Sequence, residues 1–144
     1  MKLIILTTKK RMKNTKIDRK YVYDKCNGRC AYCGKELTIK QMQVDHIEPH
    51  WHTLTEDQAR RAGLKKGSHD LENLNPSCSR CNKWKSTYSL DMFREVIQKS
   101  IDRLERDTPN FRVAKDYNLI NLTGNYVVFY FEKMTPSKNQ CINF

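Results

Sequence analysis

The spacing of apolar residues changes along the chain, and each spacing predicts a different element. From Ser89 onward it follows a helical period that Thr108-Pro109 would end, which predicts one long helix through Leu90, Phe93, Ile97, Ile101 and Leu104. Apolar and polar residues alternate between residues 35 and 47, which predicts one or two short strands. Residues 125–134 are rich in β-branched and aromatic side chains, which predicts a buried or half-buried C-terminal strand.

Capping and turn signals place shorter elements between these patterns. The spacing Thr15-x-x-Asp18 resembles a helix start, and we expect a short helix from there to about Cys26. Residues 49–70 form an insertion-like loop. Residues 71–76 are predicted to be a further loop, because they end in proline.

The insertion-like loop contains one helix signal of its own. Thr55-x-x-Gln58 resembles a capping box, and Gly63 suits the C-terminal cap of a helix. The loop is therefore predicted to hold a helix of about two turns.

The charge balance indicates a polyanionic partner, which the pattern of apolar residues alone does not. Lys and Arg outnumber Asp and Glu by 27 to 16, so the formal charge is +11. Such an excess favours nucleic acid as the partner, although solvated lysines alone would produce the same count. The first part of the chain is densely basic, so residues 1–19 form either a phosphate-contacting arm or a solvated one.

The N-terminal apolar run is only four residues long, and no longer apolar segment follows it. This length is too short for a signal-peptide core or a membrane span, so we expect a cytoplasmic protein without membrane contact. Thiols stay reduced in that compartment. The six cysteines therefore favour metal binding over disulfides.

Two CxxC pairs give the strongest chemical signal: Cys30 with Cys33, and Cys78 with Cys81. Each pair can supply two positions of a tetrahedral ion, and four thiolates close the shell of a structural zinc site. Iron in a rubredoxin-like site would use the same ligands, and a redox dithiol is a weaker alternative. Cys26 and Cys141 have no matching partner by spacing, so we expect them to be free thiols.

The segment between the two pairs is longer than in a simple zinc ribbon, and it contains VDHIEPH followed by ENLNPSC. With these pieces the chain resembles HNH endonucleases of the ββα-metal fold, in the subgroup with a four-cysteine zinc site. The matching stretches are CNGRCAYCGKEL, QVDHIEP and LENLNPSCSRCNKWKS. They cover about residues 20–88 and place CxxC, DHIxP, ENL, CxxC and CNxxK in the family's order.

The resemblance implies a role for each matched residue. His46 would be the general base, and Asp45 would bind a catalytic divalent cation. The amide of Asn73 would tie the loop to the strand and hold the base in position. Asn82 would be the second cation ligand; the family often has histidine there, and Asp and Asn oxygens suit Mg²⁺ or Mn²⁺ better than zinc.

Phosphodiester hydrolysis needs an activated water and stabilisation of the charge that develops on the leaving oxygen. A neutral histidine can accept the water proton near pH 7, and one hard cation can orient the phosphate. Asp45 and His46 nevertheless face opposite sides of an extended strand. A bulge or loop would have to bring both side chains to one phosphate.

The resemblance implies a small α+β protein: a zinc-stapled ββα-metal core with an added long helix and a C-terminal β element. The expected parts are a basic arm at 1–19, a nuclease core at 20–88 and an extension at 89–144. The implied activity is metal-dependent cleavage of DNA, most readily double-stranded, as in small nucleases of phages, mobile elements and bacterial defence systems. RNA as substrate, a homodimer and a protein partner stay open.

A zinc-dependent nucleic-acid-binding module that does not cut is the rival hypothesis, because charge and cysteines fit it equally well. A redox dithiol protein is the third hypothesis. The motif residues at positions 45, 46, 73 and 82 favour the nuclease, since a pure binder has no need of them.

Other polar and aromatic residues near the motifs have less specific expectations. His50, His52 and His69 are expected at the surface of a polar loop, with His50 as a candidate accessory site residue. Trp84 is expected to pack rather than to stack on bases. Phosphate contact or a solvated face is expected for Arg80, Lys83 and Lys85.

Overall fold

The computed structural model describes residues 17–134. Its elements, in chain order, are α1 (Arg19–Asp24), β1 (Gln43–His46), α2 (Glu56–Arg61), a 3₁₀ turn (Leu71–Asn73), β2 (Leu74–Ser77), α3 (Ser79–Lys85), α4 (Leu90–Gln98), α5 (Ser100–Asp107), α6 (Pro109–Asp116) and α7 (Tyr130–Met134). The predictions for residues 1–16 and for Cys141 fall outside the described residues.

The two strands and the helix that follows them form the centre of the molecule. β1 and β2 pair antiparallel, with Gln43 opposite Ser77 and His46 opposite Leu74. Helix α3 begins directly after β2, which completes a ββα unit. The α+β class and the ββα core are therefore confirmed.

The loop predicted for residues 71–76 is wrong, because most of it is the 3₁₀ turn and β2. Pro76 lies inside β2, opposite Val44. A proline is tolerated there because each strand of a two-stranded sheet has a free edge. The carbonyl of Pro76 also accepts a hydrogen bond from the backbone of Ala31, at 2.8 Å, which joins β2 to the first CxxC turn.

The helix start predicted at Thr55 is confirmed, whereas the signal Thr15-x-x-Asp18 lies partly outside the described residues, and the helix there begins after Asp18. The side chain of Asp18 accepts a hydrogen bond from the backbone of Tyr21 and caps α1. Thr55 and Gln58 form a reciprocal capping box at the start of α2. These caps satisfy backbone N–H groups that the first helical turn leaves without partners.

The single long helix predicted after Ser89 is wrong, because two helices occupy this stretch. Ser89 caps α4, Lys99 separates α4 from α5, and α5 ends at Asp107. The hydroxyl of Ser100 and the guanidinium of Arg103 both donate to the carbonyl of Val96. Side-chain donors that compete for a backbone acceptor bend a helix at such a position.

The C-terminal β element predicted for residues 125–134 is also wrong. Residues 125–129 are extended without strand pairing, and Tyr130–Met134 form α7. A side chain takes the place of a neighbouring strand here. The amide oxygen of Gln98 accepts a hydrogen bond from the backbone N–H of Val127, at 2.9 Å. The predicted burial holds for Phe129, which is only 1% exposed, whereas Tyr126 and Val128 are exposed.

One hydrophobic core joins the ββα unit to the segments that follow it. Phe93 of α4 and Phe129 both contact Tyr32 edge to face, with ring centroids 5.4 and 5.3 Å apart. Arg94 pairs with Glu132 at 2.6 Å and holds the C-terminal segment against α4. The division at residue 88 stays a prediction, although residues on both sides of it share this core.

Within residues 17–134, no helix combines the length and the apolar character needed to cross a membrane.

Candidate functional site

The four cysteines of the CxxC pairs meet between the first turn and the start of α3. Cys30 and Cys33 lie in a tight turn closed by a hydrogen bond from the backbone of Gly34 to the carbonyl of Cys30, at 2.9 Å. Cys78 caps α3, and its sulfur accepts from the backbone of Cys81 at 3.4 Å. The four-cysteine cluster therefore lies where one bound ion would join the first turn to the helix of the ββα unit.

The donor set fits one tetrahedral ion. The four sulfur atoms all lie within 4.8 Å of one another, and Cys33 Sγ lies 3.9 Å from Cys78 Sγ. Four sulfurs around one zinc ion at about 2.3 Å would be separated by about 3.8 Å. The cluster therefore suits zinc, and the described cysteines form no disulfide.

The thiols also perturb one another electrostatically. A hydrogen bond from Cys81 lowers the pKa of Cys30 to about 4, whereas the same contact and burial raise the pKa of Cys81. The sulfur of Cys33 raises the pKa of the Arg80 guanidinium beside it. Four close thiolates need a cation to be ionised together, and a divalent ion supplies that charge.

Asp45 lies on the buried face of β1. Asp45 is 5% exposed. Its Oδ2 accepts a hydrogen bond from the hydroxyl of Tyr32 and forms an ion pair with Lys85 Nζ, at 3.1 Å. Lys85 is fully buried, and its Nζ also donates to the carbonyl of His46 at 2.6 Å. A phosphate contact for Lys85 is therefore wrong, because its charge is directed into the core.

The charges in this buried cluster compensate one another. Burial raises the pKa of the Asp45 carboxyl, and the Lys85 ammonium and the Tyr32 hydroxyl oppose that rise. Burial and the neighbouring Asp45 carboxylate also raise the pKa of Tyr32, which keeps its hydroxyl protonated as a donor. Asp45 is thus held as a partner of α3 rather than exposed towards solvent.

His46 lies on the other face of β1 and is half-buried. Its Nε2 lies 3.0 Å from Nδ1 of His69, which is hydrogen-bonding distance. Burial lowers the pKa of His46 to about 4, and the neighbouring histidines His69 and His50 add to that effect. The ring is therefore neutral at pH 7 and has a lone pair available to accept a proton.

The chain has four histidines, and all of them gather around His46. We call His46, His50, His52 and His69 the histidine cluster. Their closest ring centroids, those of His50 and His69, are 3.8 Å apart. The surface position expected for the three loop histidines holds for His52 and His69, whereas His50 is half-buried.

The amide of Asn73 ties the loop after β1 to the segment before β2. Its Oδ1 accepts from the backbone of Glu48 at 2.8 Å, and its Nδ2 donates to the carbonyls of Glu48 at 3.0 Å and Ser68 at 2.8 Å. Gly67 lies against this contact, and a Cβ there would come within 1.9 Å of the Glu48 carbonyl oxygen. The loop geometry therefore requires glycine at position 67.

Residues 30–87, somewhat under half of the chain, match the family model described as HNH endonuclease. Over these residues the chain is similar to an HNH endonuclease domain. The four-cysteine cluster is that of a zinc-binding HNH variant, and the domain supports a nuclease-type or nucleic-acid-related function. No curated protein and no solved structure gives a significant match.

Asn82 is bonded to Gln43 rather than to Asp45. It is half-buried on α3, and its Nδ2 donates to Oε1 of Gln43 at 2.7 Å. Asp45 is meanwhile bonded to Tyr32 and Lys85. The two residues predicted to share one hard cation therefore have separate protein partners in this arrangement, and a shared cation stays a prediction.

The outer face of α3 presents charged and aromatic side chains. Arg80 and Lys83 are exposed, and Trp84 is 51% exposed. The packing role expected for Trp84 is wrong, because its ring lies outside the core. A basic face with an exposed aromatic ring suits contact with a nucleic acid backbone and its bases.

Sequence reasoning missed the residues that support His46. Tyr32 lies inside the CAYC turn, and Lys85 is the lysine of the CNxxK motif, so both were visible as parts of quoted motifs. Their burial was not visible, because it depends on how β1 packs against α3. Gly67 and His69 lie close together in the insertion-like loop, and no local pattern indicates that they contact His50 and His46 respectively.

Proposed function

We propose that this protein is an endonuclease that hydrolyses phosphodiester bonds in DNA, with His46 as its general base. The observation that supports this most is the state of His46 inside an HNH domain. Its ring is neutral at pH 7, half-exposed at the end of β1, and held by His69 through one nitrogen. A positioned neutral imidazole is the group that general-base catalysis requires.

The contact with His69 is compatible with the tautomer that a general base needs. If Nε2 of His46 donates its proton to Nδ1 of His69, the lone pair of His46 resides on Nδ1. Nδ1 then accepts the proton of the attacking water while Nε2 keeps its hydrogen bond. His69 acts as a positioning residue in this arrangement, because it fixes the ring without touching the substrate.

Asn73 and Lys85 position the backbone that bears His46. The Asn73 amide holds the loop at Glu48, two residues after the base, and Lys85 holds the carbonyl of His46 itself. The base is therefore fixed from both sides by buried or half-buried hydrogen bonds. Such preorganisation keeps the nucleophilic water and the phosphate within reaction distance.

The catalytic cation, Mg²⁺ or Mn²⁺, stays a prediction. When bound, such an ion orients the phosphate and stabilises the leaving oxygen. Asp45 and Asn82 were expected to hold it, but Asp45 is neutralised by Lys85 and Asn82 is bonded to Gln43. We therefore assign no step to an ion at these two residues.

DNA is the proposed substrate because of charge and surface. The net charge of +11 and the exposed Arg80, Lys83 and Trp84 on α3 favour a polyanion with stacked bases. The residues at positions 45, 46, 73 and 82 favour cleavage over simple binding. A zinc-dependent binding module remains the rival, and it would use the same basic surface.

Supercoiled plasmid separates the two proposals. Purified protein is incubated with plasmid and with a matched structured RNA, in Mg²⁺, in Mn²⁺ and in EDTA, while binding is followed by gel shift. We expect nicked or linear plasmid in the metal arms and none in EDTA. Plasmid that is bound but stays intact in every arm would contradict the nuclease and favour the binding module.

A further inference from the structure

The histidine cluster has a chemistry that general-base catalysis does not use. One base needs one imidazole, yet three more rings surround His46 on the exposed side of the insertion-like loop. We propose that His46, His50 and His69 form a second metal site, which takes one borderline transition-metal ion such as Zn²⁺, Ni²⁺ or Co²⁺. We propose further that this ion, when bound, blocks the base; this second part depends on the proposed function.

Two of the three ring separations match those of imidazoles around one ion. The centroid of His46 lies 4.9 Å from that of His69 and 5.5 Å from that of His50. An imidazole nitrogen binds zinc at about 2.0–2.1 Å, which places centroids on a tetrahedral ion about 5 Å from one another. The centroids of His50 and His69 are only 3.8 Å apart, so these two rings must move apart to share an ion with His46.

His50 is also anchored as metal-binding histidines usually are. Its Nδ1 lies 2.9 Å from the carbonyl oxygen of Gly67, so Nδ1 bears the proton and donates it. Nε2 therefore has the lone pair that a metal needs. A backbone carbonyl on the remote nitrogen fixes the tautomer and the ring orientation of metal ligands in this way.

Binding at the cluster requires the rings to turn. Among residues 17–134, only the four sulfurs have ligand atoms that all lie within 4.8 Å of one another. The hydrogen bond between His46 and His69 directs two nitrogens at each other, and an ion would replace that contact. His69 is exposed, so rotation of its ring displaces little of the core, while His50 keeps its hydrogen bond to Gly67.

The donor chemistry separates this site from a magnesium site. Three imidazole nitrogens favour borderline ions, whereas Mg²⁺ prefers oxygen ligands and gives up its water reluctantly. Magnesium would therefore leave the cluster empty while supporting cleavage. A transition-metal ion would fill it even in the presence of excess Mg²⁺.

An ion at the cluster would remove the base function of His46. A neutral imidazole has one lone pair, and coordination uses it while the proton stays on the other nitrogen. No nitrogen of His46 would then accept a proton from water. Transition-metal binding and cleavage should therefore exclude each other at this residue.

Metal counting tests the site without any assay of cleavage. Untagged, zinc-loaded protein is dialysed to equilibrium against Ni²⁺ with excess Mg²⁺, and zinc and nickel per chain are measured. We expect one zinc and one nickel in the wild type, and nickel lost in His50→Ala with zinc retained. The matched control His52→Ala should keep nickel, because its ring, although 4.9 Å from that of His50, is 6.5 Å from that of His69 and is assigned no ligand role.

No nickel beyond the zinc in the wild type would overturn the site, as would nickel retained in full by His50→Ala. The second part is tested by the ratio of cleavage rates without and with Ni²⁺, measured within each variant. We expect a large ratio for the wild type and for His52→Ala, and a ratio near one for His50→Ala. If nickel binds without slowing cleavage, only the blocking role is overturned. If no arm shows cleavage, the nickel count alone decides whether the metal site exists.

Discussion

The two faces of β1 differ more than those of most short strands. On one face Asp45 is buried and shares Oδ2 with Tyr32 and Lys85. On the other face His46 is half-exposed among imidazole rings. Neighbouring residues of one motif thus lie in opposite environments, because successive side chains of a strand point to opposite sides.

Under the proposed function, the two neighbouring residues have different roles: Asp45 stabilises the fold, and His46 takes part in the chemistry. On the Asp45 face, a buried ion pair joins β1 to α3. Lys85, the cation of that pair, also donates a hydrogen bond to the carbonyl of His46. The His46 face leaves a neutral ring in reach of solvent. Substitutions on the first face should therefore change stability first, and substitutions on the second should change activity alone.

Removal of zinc should disrupt the packing on both faces of β1 and should have the largest effect on stability. Cys81 lies on α3 one turn before Lys85, and Cys30 and Cys33 flank Tyr32. Structural zinc contributes on the order of 10 kcal/mol of binding energy in small domains. We expect a strong chelator, or Cys81→Ser, to abolish the cooperative unfolding transition measured by circular dichroism.

Cys26→Ser is the matched control for the zinc prediction. Cys26 is buried but lies outside the four-sulfur cluster, so the variant should keep one zinc per chain by elemental analysis. Loss of zinc from Cys26→Ser, or an unchanged unfolding transition in Cys81→Ser, would contradict the assigned ligand set.

Lys85→Met should disrupt the Asp45 face of β1 first, and it also removes the hydrogen bond to the His46 carbonyl. It leaves the Asp45 carboxylate buried without its cation, and removal of one member of a buried pair costs roughly 3–5 kcal/mol. Chemical denaturation should show that loss, whereas Lys83→Met, on the exposed side of the same helix, should change stability by about 0.5 kcal/mol or less. Equal effects of the two substitutions would show that the ion pair does not hold β1 to α3.

Gly67→Ala should disturb the loop that positions His46. A Cβ would come within 1.9 Å of the Glu48 carbonyl oxygen, so the backbone must move, at a cost of about 1–3 kcal/mol. We expect a lower unfolding free energy and slower cleavage, whereas the neighbouring and exposed Ser68→Ala should leave both near the wild-type values. Wild-type stability and cleavage in Gly67→Ala would rule out the close packing of this loop.

The pH dependence of cleavage should show the environment of His46 directly. Its pKa is lowered from 6.5 to about 4, so the rate should persist well below pH 6.5 and fall only as pH approaches about 4. The pKa of the folded state lies below that of the unfolded state, so the stability due to neutral His46 is lost as pH falls from 6.5 towards 4. Single-turnover rates on folded protein, checked by circular dichroism at each pH, would contradict this if they decline with a midpoint near 6.5.

The sequence predicted those features that depend on local spacing. The CxxC pairs indicated the four-sulfur cluster, and capping signals indicated the starts of α2 and α4. Each of these depends on residues within one turn of one another. The order of motifs added the ββα core, since that order is particular to the family.

The features that the sequence did not predict depend on contacts between distant segments. Residues 125–129 have the composition of a strand, but Phe129 packs against Tyr32 in the core and the segment joins no strand among the described residues. Lys85 resembles its exposed neighbour Lys83 in sequence, and only the packing of α3 on β1 separates them. The histidine cluster likewise forms because Asn73 and Gly67 fold the insertion-like loop back over β1.

The central claim is that His46 does the chemistry while the opposite face of β1 holds the fold. The most direct test compares wild type and His46→Ala in single-turnover plasmid cleavage, with unfolding free energy and zinc content measured on the same samples. We predict that cleavage falls roughly 10²–10⁴-fold, as expected for loss of a general base, while zinc stays at one per chain and stability is preserved. Cleavage at a near-normal rate in folded His46→Ala would contradict the claim.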